Sequence, residues 1–200
     1  MLGPCLATGG YCSKMARAVV FGPTETGGMD WDNPILIYLY GKLKILIGSV
    51  RLQDTVGKLI KIQLSWLQVF AGISTPILEY DKEITYIPNK WMKTLHQLLV
   101  QYQVKIKLHE IWTPIAQRKN DRIIMQYIIE NIPDWAWDSI NTCRLFLRAT
   151  TVANLAMIDG KYIPDQIKPV KAPLRENNVH FPLQARPSKQ DVEKWLYFID

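Results

Sequence analysis

Histidine and cysteine are scarce in this chain, three of each. His96, His109 and His180 stand far apart with no partner at metal-ligand spacing, and Cys5, Cys12 and Cys143 form neither a CxxC pair nor an even set. That pattern argues against a disulfide framework and a structural zinc site. It points to a reducing, intracellular setting (nucleus or cytoplasm) rather than secretion. Gly3, Pro4, Gly9 and Gly10 interrupt any apolar stretch of a signal peptide. Long apolar runs are lacking too. Residues 35–40 are the longest obvious one, far short of the roughly 20 residues a membrane span needs, so no membrane partner is expected. A phosphate-binding GxxxxGK loop, a GxSxG elbow and an HExxH helix are all missing. Asp121, Asp134 and Asp138 are the nearest approach to a nuclease carboxylate set. Two of them have a simpler role at helix N-termini, and no catalytic residue, metal or cofactor is expected.

Against those absences, 48% of the residues are apolar and 21% charged, a balance that supports a packed core rather than disorder. An excess of 24 basic over 18 acidic residues gives a net charge of +6. It is spread evenly, with 10 basic against 7 acidic residues in positions 1–100 and 14 against 11 in 101–200. Such an excess permits contact with nucleic acid or another anionic surface without requiring it.

The stretch 114–162 carries the clearest helix punctuation. Asn120 is a good N-cap with Asp121 in the first turn, and Ile124, Tyr127, Ile128 and Asn131 follow at three-and-four spacing. Pro133 stops that helix and Asp134 caps the next. On the second helix Ala136, Ile140, Cys143 and Leu147 share one face, while Asp138, Asn141, Arg144 and Arg148 fall on the opposite side. Thr150 or Thr151 then caps a last short helix ending at Asp159-Gly160, or the same β-branched run is a strand.

Elsewhere the punctuation predicts helices over 34–48, 55–71 and 89–103, the last two capped by Asp54 and Asn89. Leu59, Ile62, Trp66, Val69 and Phe70 make the apolar stripe of the second. Met92, Leu95, Leu99 and Tyr102 make that of the third, leaving His96 at the surface or half-buried. Residues 1–32 read as irregular with a short strand at 18–21; Asp30 and Asp32 read as turn or cap residues rather than a metal pair. Segments 76–79 and 83–87 flank a hairpin-length gap, and 104–108 alternates apolar with basic residues, so the three predict a small sheet. Beyond Tyr162, Pro164, Pro169, Pro173, Pro182 and Pro187 mark an extended or partly ordered arm, not a second core. Ser188 caps a final short helix there, with Val192, Trp195, Leu196 and Ile199 as a docking face. The expected fold is therefore mainly α with a small β element (α+β). An irregular segment 1–32 precedes a helical globular unit, 33–163, and a Pro-rich arm, 164–200.

Lys42, Lys44, Arg51, Lys58 and Lys61 gather around one helix junction against a single acid, Asp54. Together with Arg118, Lys119, Arg144 and Arg148 they are the candidate contacts to an RNA or DNA backbone. The first five fit a solvated helix face equally well, and Arg144 and Arg148 fit pairing with carboxylates of neighbouring segments. Nothing in the pattern suggests base-specific readout.

One further set of residues points to a family. Phe21-Gly22-Pro23 followed by Gly27-Gly28-Met29-Asp30-Trp31 resembles the "GP…GG-hydrophobic" element just beyond the polymerase core of eukaryotic retrotransposon reverse transcriptases. Trp91 with its helix, Gln117-Arg118-Lys119-Asn120-Asp121, the run from Ile140 to Leu147, and the run from Phe181 to Ser188 followed by Trp195 resemble what lies downstream in such elements. The resemblance covers residues 20–198. It implies the C-terminal piece of a retroelement polyprotein, with the reverse transcriptase core expected upstream and absent from this sequence. The aromatic-x-Asp-Asp motif of the polymerase palm is missing, so no polymerase activity transfers to any residue here. What the resemblance implies is a place beside the polymerase, packing on it and helping to hold template or primer.

Overall fold

The computed structural model describes residues 7–8, 10, 12, 14–109, 111–159, 161–173, 182 and 186–199, apart from the side chain at 166. It divides into two compact units, Met1–Gly48 and Ser49–Asp200. The fold is mainly helical. Among the described residues, α-helices include α1 (Arg17–Phe21), α2 (Pro34–Leu52), α3 (Thr55–Ala71), α4 (Lys90–Gln101), α5 (Ile124–Asn131), α6 (Trp137–Leu147) and α7 (Lys189–Ile199). Short 3-10 turns lie at Thr24–Thr26, Asp134–Ala136, Val152–Asn154 and Asp165–Ile167.

In the first unit the run expected as a strand is instead the helix α1. The chain then doubles back on it. Met29 N donates to Val19 O (2.8 Å), Trp31 N to Val20 O (3.0 Å) and Asp30 N to Gly22 O (2.9 Å), leaving Val20 fully buried. A side chain at Gly28 would run into the Gly22 carbonyl, so the paired glycines of this element serve a close backbone approach. Asn33, not Asp30 or Asp32, provides the cap at the start of α2, its Oδ1 accepting from Ile35 N (2.9 Å).

The second unit is built around α6, which packs against α7, α5, α3 and the 3-10 turn that precedes it. Asp54 and Asn89 cap α3 and α4 as their chemistry predicts, accepting from Gly57 N and Met92 N. Pro133 ends α5, and a 3-10 turn rather than a side-chain cap at Asp134 leads into α6. The buried face of α3 is not the expected stripe. Leu64, Leu67, Gln68, Phe70 and Ala71 point inward, while Leu59, Ile62 and Trp66 are exposed.

No strand forms among the described residues, so the expected sheet between Pro76 and Leu108 is corrected to turns and an extended segment. Ile77, Leu78, Ile84, Tyr86 and Ile87 are all buried, but side chains satisfy much of the backbone around them. Gln68 donates to Ile73 O and Thr75 O and accepts from Ile77 N. His96 is buried, not superficial, and its ring nitrogens lie 3.0 Å from Ile77 O and 3.0 Å from Lys82 O. Burial lowers its pKa, with the two carbonyl contacts working against that. Lys93 Nζ reaches Thr85 O (2.6 Å).

The C-terminal segment is folded onto the unit rather than extended from it. Ala172 and Trp195 are buried, and Arg186 donates to Val170 O and Ala172 O while its guanidinium lies 5.4 Å from the Phe146 ring centre. Ser188 caps α7 as expected, in a reciprocal pair with Asp191. Gly160 and half of the run from Phe181 to Ser188 lie outside the described residues. No helix among the described residues is long and apolar enough to cross a membrane.

Candidate nucleic-acid interface

The nine basic residues singled out by sequence fall in both units. Lys42 and Lys44 belong to the first unit and Arg51, Lys58 and Lys61 to the second. Lys42 is buried, its ammonium 4.9 Å from the centre of the Tyr38 ring. Lys44, Arg51 and Lys58 are exposed and Lys61 half-buried. Arg148 ends α6 in the left-handed conformation, φ 56°, and is half-buried.

Arg144 is not a surface contact. It is fully buried, and its guanidinium donates to Phe70 O (2.6 Å), Val69 O (3.0 Å), Ala149 O (3.2 Å) and Asn141 Oδ1 (2.8 and 3.0 Å). Carbonyls at the end of α3, not carboxylates, are its partners. A helix C-terminus carries partial negative charge, which suits a cation there. Burial pushes its pKa down to about 10, so it remains charged at neutral pH. This residue is structural.

Arg118 and Lys119 do form part of a groove. The loop that carries them is organised by Asp121, which is not the first-turn acid of a helix: α5 begins only at Ile124, and Asn120 is left-handed, φ 65°. The Asp121 carboxylate accepts from Gln117 N (2.8 Å), Arg122 N (2.9 Å) and Ala153 N (2.9 Å). Its partial burial works to raise the pKa, and the donors from Gln117, Ala153, Thr151 and Arg122 outweigh it and hold the carboxyl below its usual range. An antiparallel bridge between Ile123 and Thr151 joins the same two segments. Thr151 also caps the 3-10 turn that follows, reciprocally with Asn154. Arg118 ties down the far side, donating to Met157 O (2.8 Å), Ala156 O (3.3 Å) and Ala153 O (3.3 Å).

Two adjoining depressions result, sharing Arg122, Val152 and Ala156. One, of about 410 Å³, is lined by the 118–122 loop and by residues from Val152 to Asp159. The other, of about 540 Å³, has an apolar floor that includes Ile124, Leu155 and Phe198 and a polar rim of Arg122, Tyr127, Lys161, Tyr162 and Lys168. The Arg122 guanidinium lies 5.4 Å from the Tyr127 ring centre. Met157 N donates to Tyr162 O (2.9 Å) and Lys161 N to Asp159 Oδ1 (3.0 Å), which fixes the turn presenting Lys161 and Tyr162. Asp165 is engaged by Lys171 and lies 3.6 Å from Lys168.

Arg122, Lys161 and Lys168 are the groove cations that sequence reasoning did not single out. A signal for the first was present: Arg118, Lys119 and Arg122 put three cations within five positions. Lys161 and Lys168 become neighbours of that run only through the fold. A cationic rim over an apolar floor suits an anionic ligand that also carries flat, apolar surface. Comparison of the chain with protein-family models, curated proteins and solved structures found no match.

Proposed function

We propose that this chain is a non-catalytic, nucleic-acid-associated module derived from a retrotransposon reverse transcriptase. It helps hold template or primer by contacts to the sugar–phosphate backbone and works in a reducing compartment. The ordered motif set over residues 20–198 supports the derivation. The observation that carries the activity is the groove in which Lys119, Arg122 and Lys161 line two adjoining depressions. Each cation that neutralises a phosphate releases a counterion, and three such contacts on a single strand give a slope of about −2 in log K against log salt. The test is binding of the full chain to labelled RNA, DNA and hybrid strands across a salt series, for the native chain and for Lys119→Ala, Arg122→Ala and Lys161→Ala. A steep salt dependence that flattens in the variants supports the reading. No binding at low salt from a folded sample overturns it.

A second reading rests on a different observation. Val56, Leu59, Ile62 and Trp66 form an exposed apolar stripe along α3, as expected of a protein-interaction piece with no autonomous activity. Concentration-dependent self-association without nucleic-acid binding is the outcome that favours it.

A further inference from the structure

The larger depression is more specific than backbone holding requires. We infer that it takes one unpaired nucleotide of a single strand, with the base over the apolar floor against Tyr127 or Tyr162 and its phosphates on Arg122 and Lys161. This rests on the nucleic-acid reading above and narrows it to a class of strand.

Three observations carry the inference. First, the site combines two chemistries: Ile124, Leu155 and Phe198 in its floor, Arg122 and Lys161 on its rim. A duplex offers phosphates outward and keeps its bases stacked inside, so it would meet the rim and leave the floor uncovered. An unpaired nucleotide supplies both surfaces. Second, Tyr127 and Tyr162 line the site yet remain 40% and 56% exposed. Exposed aromatic faces beside cations are what single-strand sites use, because every base has a face to stack. The Arg122 guanidinium against the Tyr127 ring already makes a platform of this kind. Third, the volume of about 540 Å³ falls within the roughly 300–1,000 Å³ of small-ligand sites. The rim is not electrically neutral. Asp165 is shared between Lys171 and Lys168, so the rim keeps a positive balance, with Arg122 and Lys161 on it.

The test compares three probes on the full chain: a short oligouridylate, an abasic strand of equal length and a duplex of equal length. The expected result is that the oligouridylate binds about tenfold more tightly than the abasic strand. At least one of Tyr162→Ala and Tyr127→Ala should remove most of that margin, and the corresponding Tyr→Phe version should keep it; no loss in either would overturn the inference. Lys161→Ala should weaken the oligouridylate and the abasic strand alike. Because Tyr127 lies on a helix, a readout independent of affinity is added: an oligouridylate carrying 5-iodouridine should photocrosslink at Tyr127 or Tyr162. Equal affinity for oligouridylate and abasic strand, tighter binding of the duplex, or crosslinks mapping elsewhere would overturn the inference while leaving backbone holding intact. Failure of all three probes to bind at low salt would overturn both.

Discussion

Ile35, Leu36, Ile37, Tyr38, Tyr40, Ile45 and Ile47 of α2 are all exposed, whereas α6, with an arginine, an asparagine and a serine among its 11 residues, is buried at nine of them. Hydropathy alone would assign the two helices the other way round. The difference lies in partners. Arg144 and Asn141 of α6 are buried because their hydrogen bonds are made within the fold, and a satisfied polar group no longer carries the full cost of leaving water. Leu39 and Leu46 of α2 are buried, and for its other apolar side chains exposure costs no unmade bond.

The comparison breaks most sharply at Arg144. Arg144→Ala strands the carbonyls of Val69, Phe70 and Ala149 and the amide oxygen of Asn141, and several buried acceptors left unsatisfied at about 1–3 kcal/mol each make a loss of about 3–5 kcal/mol the expected result in urea unfolding. Arg144→Lys should recover little of it, since a single ammonium cannot reproduce the fork. A loss below about 1 kcal/mol would show that these acceptors find other donors.

Gly72→Ala comes next. Gly72 ends α3 at φ 67°, and a Cβ there would sit 2.6 Å from Arg144 Cζ. Strain and the displaced guanidinium together should cost about 1–3 kcal/mol, and the loss should shrink in an Arg144→Ala background.

Two tyrosines sharpen the point about partners. Tyr86 donates to Ala71 O (2.9 Å), whereas the Tyr80 hydroxyl is buried with no hydrogen-bond partner among the described residues. Tyr86→Phe should cost about 1 kcal/mol and Tyr80→Phe nothing or a slight gain. Burial raises both hydroxyl pKa values, Tyr80 to about 12, and the Arg144 charge only partly opposes this at Tyr86. The fold therefore favours the neutral phenols. Their contribution is fully present below the ordinary value of 10.0 and is lost as pH rises through the raised ones. Stability measured by denaturant midpoint should fall above pH 10.0, and fall less in Tyr86→Phe.

The smallest effect belongs to α2. Ile37→Gln and Tyr40→Gln should change stability by less than about 0.5 kcal/mol. A larger loss would mean that this face is covered in solution, and a sedimentation measurement on the same samples would show by what mass.

What could be read in advance follows the range of the interaction. Asp54, Asn89, Pro133 and Ser188 act within a turn of their own position, and each does there what its chemistry predicts. Cys143 is a core residue, as its place on the apolar face of α6 implied. The region 76–108 forms no sheet because, beside one backbone bond from Ile106 N to Leu78 O (3.1 Å), Gln68, Lys93 and His96 side chains take up much of its backbone. Periodicity does not encode those. An acid at Asp121 reads as a helix start because acids are common there, and its bond to Ala153 N, 32 positions away, leaves no local signal. The groove was half legible for the same reason. Arg118 and Lys119 stand in one run, while Lys161 and Tyr162 reach them only through the fold: the Asp121 carboxylate, the Ile123–Thr151 bridge and the bonds that Met157 makes to Arg118 and Tyr162.

Arg144 also bears on time. Its bonds to Val69 and Phe70 span 75 and 74 positions. A chain emerging from the ribosome can wind α3 as soon as Ala71 has left the tunnel, yet the end of that helix waits unclosed through everything that separates it from α6. Closing so long a loop is slow. Until Arg144 has been made, the Val69 and Phe70 carbonyls lack the guanidinium that donates to them in the fold.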